Sequence, residues 1–344
     1  MASVISISDA IRKSLNGLTL DRQEIGVLLS ADDSEAERLF SAADHVRETC
    51  VGSDVLLRGI VEFSNYCERN CLYCGLRKDN RKIIRYRMAD DEITAAVRQI
   101  SDAGIPTVVL QSGEDSFFTA PRICRLIERI KKETGLTITL SLGERPCREY
   151  RDFKDAGADR YLLKHETADP DLFKRLRPDS HLEDRLQSIR CLKELGFETG
   201  MGNMVGLPWQ KTTALVEDIM IMKELGADML GIGPFIAHPD TPLGRFSSGD
   251  PELVFKVLAV ARLVTRTTNI PATTSLATLD PRHRVKALMV GANVVMPDFT
   301  PARYKKHYDI YPGKSGTEYH AFSFLERLDQ EIIPLSRRPS FIKK

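Results

Sequence analysis

Leu57-Arg-Gly-Ile-Val-Glu-Phe-Ser-Asn-Tyr-Cys-Glu-Arg-Asn-Cys-Leu-Tyr-Cys-Gly75 joins two signals in nineteen residues. Its first part, Leu57 to Phe63, is a short, mostly apolar run of strand type. Its second part sets Cys67, Cys71 and Cys74 at C-x3-C-x2-C spacing. Three thiolates so spaced suit an iron-sulfur cluster with one iron left unligated, because closed zinc sites and electron-transfer 4Fe-4S clusters take four protein ligands. No fourth ligand lies nearby: Cys50, Cys124, Cys147 and Cys191 are scattered singly, and the flanking histidines are His45 and His165. The plain alternative is three reduced, buried thiols. The spacing, and the aromatic Tyr73 before the third cysteine, weigh against it.

Outward from this stretch, β-rich runs recur every 20 to 40 residues or so with helical patterns between them, the rhythm of parallel βα units. Eight are predicted: Leu57 to Phe63, Thr107 to Gln111, Thr137 to Leu142, Arg160 to Lys164, Glu198 to Val205, Met229 to Ile232, Ile270 to Ser275 and Asn293 to Met296. Helices are predicted over Asp90 to Ala103, Ala120 to Glu133, Cys147 to Ala156, Leu182 to Leu195, Thr212 to Leu225, Pro251 to Thr265 and Arg282 to Val290. Several stop at a glycine suited to the left-handed C′ position. The pattern predicts an α/β fold, a (β/α)8 TIM barrel, whose chemistry belongs at the C-terminal strand ends. There the runs lead into the cysteine loop, Gln111-Ser-Gly-Glu-Asp115, Ser141-Leu-Gly-Glu144, Lys164-His-Glu-Thr167, Asn203-Met-Val-Gly-Leu-Pro208 and Met296-Pro-Asp298.

Residues 1–50 read as an N-terminal helical extension, with Ala36, Leu39, Phe40, Ala43 and Val46 as a core stripe that closes the barrel's lower mouth. Residues 51–314 form the barrel, and 315–344 a C-terminal helix, near Glu318 to Gln330, and tail. Tyr304, Tyr308 and Tyr311 before Pro312-Gly313 suggest a lid. Lysine plus arginine, 49, nearly equals aspartate plus glutamate, 48, which points away from nucleic acid and anionic membrane. The basic run Arg77-Lys-Asp-Asn-Arg-Lys82 reads most simply as solvated loop, with a substrate-steering patch as the alternative. Seven cysteines without a leader or an 18-residue apolar run predict a cytoplasmic protein with reduced thiols and no disulfide framework.

The run C-x3-C-x-aromatic-C resembles the signature of the radical S-adenosylmethionine (SAM) enzymes. That resemblance implies one 4Fe-4S cluster, held by Cys67, Cys71 and Cys74 and chelating SAM, and reductive cleavage of SAM to methionine and a 5′-deoxyadenosyl radical. Ser112-Gly113-Glu114-Asp115 is then a candidate for the SAM ammonium, its bland reading being an ordinary turn before a helix. Arg185, Arg160 and Arg177 are candidates for the carboxylate, although most arginines face solvent. Glu166 suits a ribose hydroxyl or ammonium as well as a salt bridge, and His165 is read as structural. Met204 and Met296 offer soft apolar surface but also fill gaps. Thr273 and Thr274 should point to opposite faces of a regular strand. Trp209, after Pro208, reads as packing.

Longer blocks resemble the HydE family, the radical SAM maturases of iron-iron hydrogenase: Arg58-Gly-Ile-Val-Glu-Phe-Ser-Asn65, Cys71-Leu-Tyr-Cys-Gly-Leu-Arg77, Leu110-Gln-Ser-Gly-Glu-Asp115, His238-Pro-Asp-Thr-Pro242, Ile270-Pro-Ala-Thr-Thr274 and Tyr311-Pro-Gly-Lys314. The resemblance spans about residues 55 to 314 and implies an organometallic substrate, a cysteine-bound Fe(CO)2CN precursor. Its implied partners are a synthon-forming radical SAM enzyme, a scaffold GTPase, and a ferredoxin or flavodoxin as electron donor. It makes Tyr73, Gln111, Ser112, Gly113, Ser141, Glu166, Arg185 and Met204 candidates for the cofactor shell, and Lys164, Thr273, Thr274, Met296, Tyr308 and Tyr311 candidates for the substrate cavity. Two departures stand out. Lys164 replaces the family's arginine before His-Glu-Thr, and no cysteine follows Cys191, so one cluster is expected. A methylornithine-synthase or biotin-synthase type reaction, and a non-catalytic iron-sulfur carrier, are the alternative readings.

Overall fold

A strand covered on both faces is mostly apolar, with any polar side chain paired, and Gly59–Ser64 is buried at every position, its Glu62 paired with Lys314 and its Ser64 with Asp115. In the computed structural model, which describes residues 5–314 and 321–341, this strand pairs in parallel with Thr107–Ser112. The ladder continues through Thr137–Ser141, Arg160–Leu162, Glu198–Met201 and Met229–Leu230. Isolated parallel bridges close the ring: Met229 to Asn269, Pro271 to Val294, and Ile60 to Asp298. Val294–Val295 also pairs with Asp54–Leu57. Eight parallel staves therefore enclose a barrel, as expected.

The outer helices follow from their apolar spacing. Ala120–Thr134 buries Ile123, Leu126, Ile127 and Ile130 on one face and stops at Gly135 in the left-handed conformation, φ 64°. The N-terminal extension forms Ile7–Leu15, Arg22–Leu29 and Asp33–Val51. Capping boxes begin the last two, Asp21 with Glu24 and Asp32 with Glu35. The predicted stripe Ala36, Leu39, Phe40, Ala43 and Val46 is buried. These helices pack on the outer helix Pro251–Thr265, where Ser14 Oγ donates to Leu263 O at 3.1 Å.

Several expectations are corrected. The first run is two strands, Asp54–Leu57 and Gly59–Ser64, interrupted at Arg58. The fifth breaks after Met201 and resumes as Met204–Val205. The seventh is no regular strand: Pro271 lacks the amide a ladder needs, and Thr273 is already the N-cap of a helix, Thr274–Leu279. Helix Pro170–Leu176, capped by the Asp169 carboxylate, went unpredicted. So did Arg338–Ser340, which pairs in parallel with Asp54–Leu57. Cys147 and Cys191 are not separate reduced thiols but a disulfide, Cα atoms 6.2 Å apart, between the helices Cys147–Asp155 and Leu182–Glu194. Forty-four residues of separation hid a pairing that helix packing creates. The predicted C-terminal helix is seen over Ala321–Ile332, and its expected start, near Glu318, lies outside the described residues. Among the described residues, no helix is long and apolar enough to cross a membrane.

Candidate active site at the C-terminal end of the barrel

The cysteine loop leaves Gly59–Ser64 and is fastened from several sides. Glu68 N donates to Glu114 O at 2.9 Å, Leu72 N to Leu176 O at 2.9 Å, and Gly75 N to Ile310 O at 3.0 Å. Gly113 N donates to Ser64 O, and a Cβ at Gly113 would sit 2.2 Å from Tyr66 O and 2.8 Å from Cys67 Cβ. Only glycine lets the strand end lie this close to the loop. Cys67, Cys71 and Cys74 line one wall of a cavity of about 200 Å3. Burial pushes all three thiols up, Cys67 to about 11. Among the described residues, no three His, Cys, Asp or Glu side chains converge as ligands of a single ion.

Gln111, Ser112, Gly113, Ser141, Lys164, Glu166, Arg177, Arg185, Tyr73 and Tyr308 share this upper chamber. Glu166 is a non-glycine residue at φ 70°, pinned by Glu166 N to Gly202 O and Met204 N to Glu166 O, each 3.0 Å. Arg69, Arg177 and Arg185 surround Glu114 and Glu144. Arg69 reaches Glu114 at 2.5 Å and Glu144 at 3.2 Å, and Arg177 is 3.5 Å from Glu114. Burial opposes ionisation of Glu114, but Arg185, Arg177 and Arg69 outweigh it and hold the carboxyl below its ordinary range. Arg177 also donates to Tyr73 Oη at 3.1 Å. Arg185 Nε lies 2.8 Å from Glu144 Oε1, yet its N–H is not aimed there; it and Arg177 Nε are buried donors without a hydrogen bond.

A second chamber of about 180 Å3 lies deeper and shares Gln111, Leu162, Lys164 and Ile310 with the first. Thr273, Thr274, Met296 and Tyr311 line it, with Arg58, Glu62, Thr139 and Lys314. Lys314 Nζ pairs with Glu62 and lies 3.2 Å from Asp298. Burial, reinforced by Asp298, pushes Glu62 up to about 8 despite Lys314, whereas Asp298 is held low by Lys314 and Lys305 against its own burial. Arg58 is 5% exposed, and burial draws it down to about 9. Its Nη1 abuts the Met229 sulfur, and Nη2 has no partner.

The structure thus gathers most of the expected residues and separates others. Met204 lines neither chamber; it belongs to an apolar cluster with Leu72, Tyr73, Leu176, Leu207 and Phe235. Thr273 and Thr274 both reach the deep chamber because a helix start, not a strand, carries them. Arg160 pairs with Glu198 and bonds Thr107, at the opposite strand ends. His165, fully buried, lies 3.3 Å from Asp218, which also takes hydrogen bonds from Ala168 N and Asn203, so it is structural. Trp209 packs edge-on against Phe246 and under the Arg175 guanidinium. Arg58, Glu62 and Lys314 were not anticipated as cavity residues. A charge inside the buried run Arg58-Gly-Ile-Val-Glu62 was the signal, since such residues are rarely buried unpaired.

A family profile described as the Radical SAM superfamily matches residues 61–219. The chain is 51% identical over 278 residues to the FeFe hydrogenase maturase subunit HydE of Thermotoga maritima, covering 81% of this chain and 80% of that protein. It is 30% identical over 289 residues to 3-methylornithine synthase of Methanosarcina acetivorans, covering 82% and 81%. Among solved structures, methylornithine synthase PylB superposes with a TM-score of 0.82 at 24% identity, covering 96% of this chain and 97% of that one. HydG, a maturase of the FeFe hydrogenase, gives 0.81 at 18%, covering 98% and 76%. At these identities the two structures speak to the shared fold.

Proposed function

The chain belongs to the HydE family of radical SAM enzymes, and on that premise we propose that it cleaves SAM reductively in assembly of the iron-iron hydrogenase active site, processing a cysteine-bound Fe(CO)2CN precursor. The carrying observation is that the cysteine chamber and the deeper one adjoin, with Gln111, Leu162, Lys164 and Ile310 lining both. A reactive species made at one end can meet a substrate at the other without crossing solvent.

The residues present fit the cofactors. Three thiols on one wall suit a 4Fe-4S cluster short of one protein ligand, and the buried, unpartnered N–H groups of Arg177 and Arg185 suit a carboxylate. When bound, cluster and SAM supply one-electron cleavage of the sulfonium to methionine and a 5′-deoxyadenosyl radical. The protein's part is to bind, orient and exclude water. Cys67, Cys71 and Cys74 would hold the cluster, and burial raises all three thiols, so the thiol form is favoured without metal. Gln111, Ser112, Ser141 and Glu166 offer hydrogen-bonding groups for ribose and ammonium, and Gly113 leaves room for the cysteine loop. Tyr73, tied to Arg177, and Met204, in the same apolar cluster, back the shell. In the deep chamber Thr273 and Thr274 hydroxyls, Tyr311 and the Lys164 ammonium suit an anionic complex, Met296 adds apolar surface, and Tyr308 borders the upper chamber. A synthon-forming radical SAM enzyme and a scaffold GTPase are the partners this reading requires.

The test is anaerobic hydrogenase activation in a maturation mixture lacking only HydE, comparing the protein with Cys71→Ser while 5′-deoxyadenosine is assayed. We expect SAM-dependent rescue that the variant loses along with SAM cleavage; a variant that keeps cleavage and a normal cluster would overturn the assignment. Lys164, in place of the family's arginine, favours a second reading, a different small substrate in the same radical chemistry, because an ammonium cannot clamp a carboxylate bidentately. SAM cleavage without rescue would support it. Neither signal from a loaded cluster would favour an iron-sulfur carrier.

A further inference from the structure

Between Arg77 and Arg87 the chain carries six basic residues and a single acidic one, Asp79, in a protein whose net charge is only +1. The run is a solvated loop, as expected, and it is also held in place by hydrogen bonds. The Arg85 guanidinium donates to the carbonyls of Asn65, Leu76 at 2.9 Å, Arg77 at 2.7 Å and Asn80 at 3.3 Å. Asn80 Nδ2 donates to Gly75 O at 2.8 Å, and Lys78 N to Arg69 O at 2.8 Å. All four Arg85 contacts are to neutral carbonyls, so its own charge is not neutralised by them, whereas Arg87 pairs with Asp115 at 2.8 Å and Arg77 lies 3.9 Å from Asp79. Lys78 and Arg81 are exposed and make no ion pair among the described residues. Lys82, which pairs with Asp240, is itself 76% exposed. Ile84 adds an exposed apolar side chain, 63% accessible, three residues after Arg81.

This platform is joined directly to the cysteines. Arg77 N donates to Cys74 O at 3.1 Å, and Arg85 lies within electrostatic range of both Cys67 and Cys74. A hydrogen-bonded loop that presents two exposed cations, Lys78 and Arg81, unpaired among the described residues, and an apolar side chain, Ile84, a few residues from the cysteines has the character of an electron-transfer docking surface: small, charge-steered and short-lived.

We propose that the loop Arg77–Arg87 is the docking site for an acidic one-electron carrier protein, seated over Lys78, Arg81 and Ile84 beside the cysteine wall. The proposal rests on the reading of Cys67, Cys71 and Cys74 as holders of a reducible cluster. Lys78 and Arg81 belong to neither chamber, so their replacement leaves the cofactor shell alone.

The experiment compares the reconstituted protein with the double variant Lys78→Glu/Arg81→Glu in two readouts. One is calorimetric titration with an oxidised, strongly acidic flavodoxin at low and high salt. The other is 5′-deoxyadenosine formation driven either by the reduced flavodoxin or by dithionite. Expected are about tenfold or greater weakening of flavodoxin binding and of flavodoxin-driven turnover at low salt, a wild-type advantage that shrinks toward 1 M salt, and an unchanged dithionite-driven rate. Unchanged flavodoxin affinity and rate would overturn the proposal. So would equal slowing with both reductants, which would assign the loop to SAM or substrate access. The titration needs no turnover, so absence of 5′-deoxyadenosine from the wild type with dithionite would overturn the radical reading alone, and the docking site would still be decided.

Discussion

In the upper chamber three guanidinium groups, Arg69, Arg177 and Arg185, face Glu114 and Glu144, and each carboxylate has more than one partner. In the deep chamber one ammonium, Lys314, contacts both Glu62 and Asp298, with Lys305 also acting on Asp298, while Arg58 Nη2 has no partner. The first arrangement is redundant and keeps donors free for a zwitterionic ligand. In the second, Glu62 has one ion-pair contact among the described residues, Lys314. Redundancy should let the upper network tolerate loss of one charge, and its absence below should not.

Lys314→Met is therefore the harshest change, expected to cost about 3–5 kcal/mol in denaturant unfolding at pH 8.5, the cost of leaving the buried Glu62 without its ion-pair contact. The loss should be smaller near pH 6, because Glu62, with a pKa pushed up to about 8, takes up a proton there. Arg177→Met should cost only about 1–2 kcal/mol, since Arg69 and Arg185 remain on Glu114. A loss as large as that of Lys314→Met would break the comparison.

The same contrast sets a pH dependence. Folded Glu62 holds its proton to about pH 8, whereas an unfolded glutamate releases it near ~4.3. Between those values the folded state binds more protons, so this group's contribution to stability falls as pH rises. Glu62→Gln should remove that part of the slope in unfolding measured from pH 5 to 9; an unchanged slope would mean that Lys314 keeps Glu62 ionised. The smallest effect is expected where the chambers meet. Lys164 lies 3.8 Å from Glu166 and is 29% exposed, a pairing worth little to stability. Lys164→Ala should weaken substrate about tenfold, the ~1.4 kcal/mol of a charged hydrogen bond, with SAM affinity changed less. Equal loss of both would move Lys164 into the cofactor shell.

Much of this was legible from local chemistry. The cysteine spacing, the eight runs and the polar strand ends Gln111, Ser112 and Ser141 needed only side-chain periodicity and turn residues to read. The errors came where a neighbour in space overrode the local pattern. Thr273 and Thr274 looked like strand residues by β-branching, but Pro271 ends the ladder and the chain turns into a helix that carries both hydroxyls into one chamber. Met204 sits in a strand as expected, yet it packs in an apolar cluster from which Tyr73 reaches the cavity and Met204 does not.

Residue spacing settles what recurs along the chain: a C-x3-C-x2-C loop at the end of a buried strand, and the βα rhythm that puts that end on an active rim. It does so because strand and helix periods, glycine stops and thiol chemistry are local properties. Only packing in three dimensions decided that Cys147 meets Cys191, that Lys314 crosses to Glu62 over 252 residues, and that Arg58 is left buried with an open donor. Those facts depend on which side chains desolvate together. Burial sets the energy of a charge or a thiol by its neighbours in space, and adjacency along the chain does not record them.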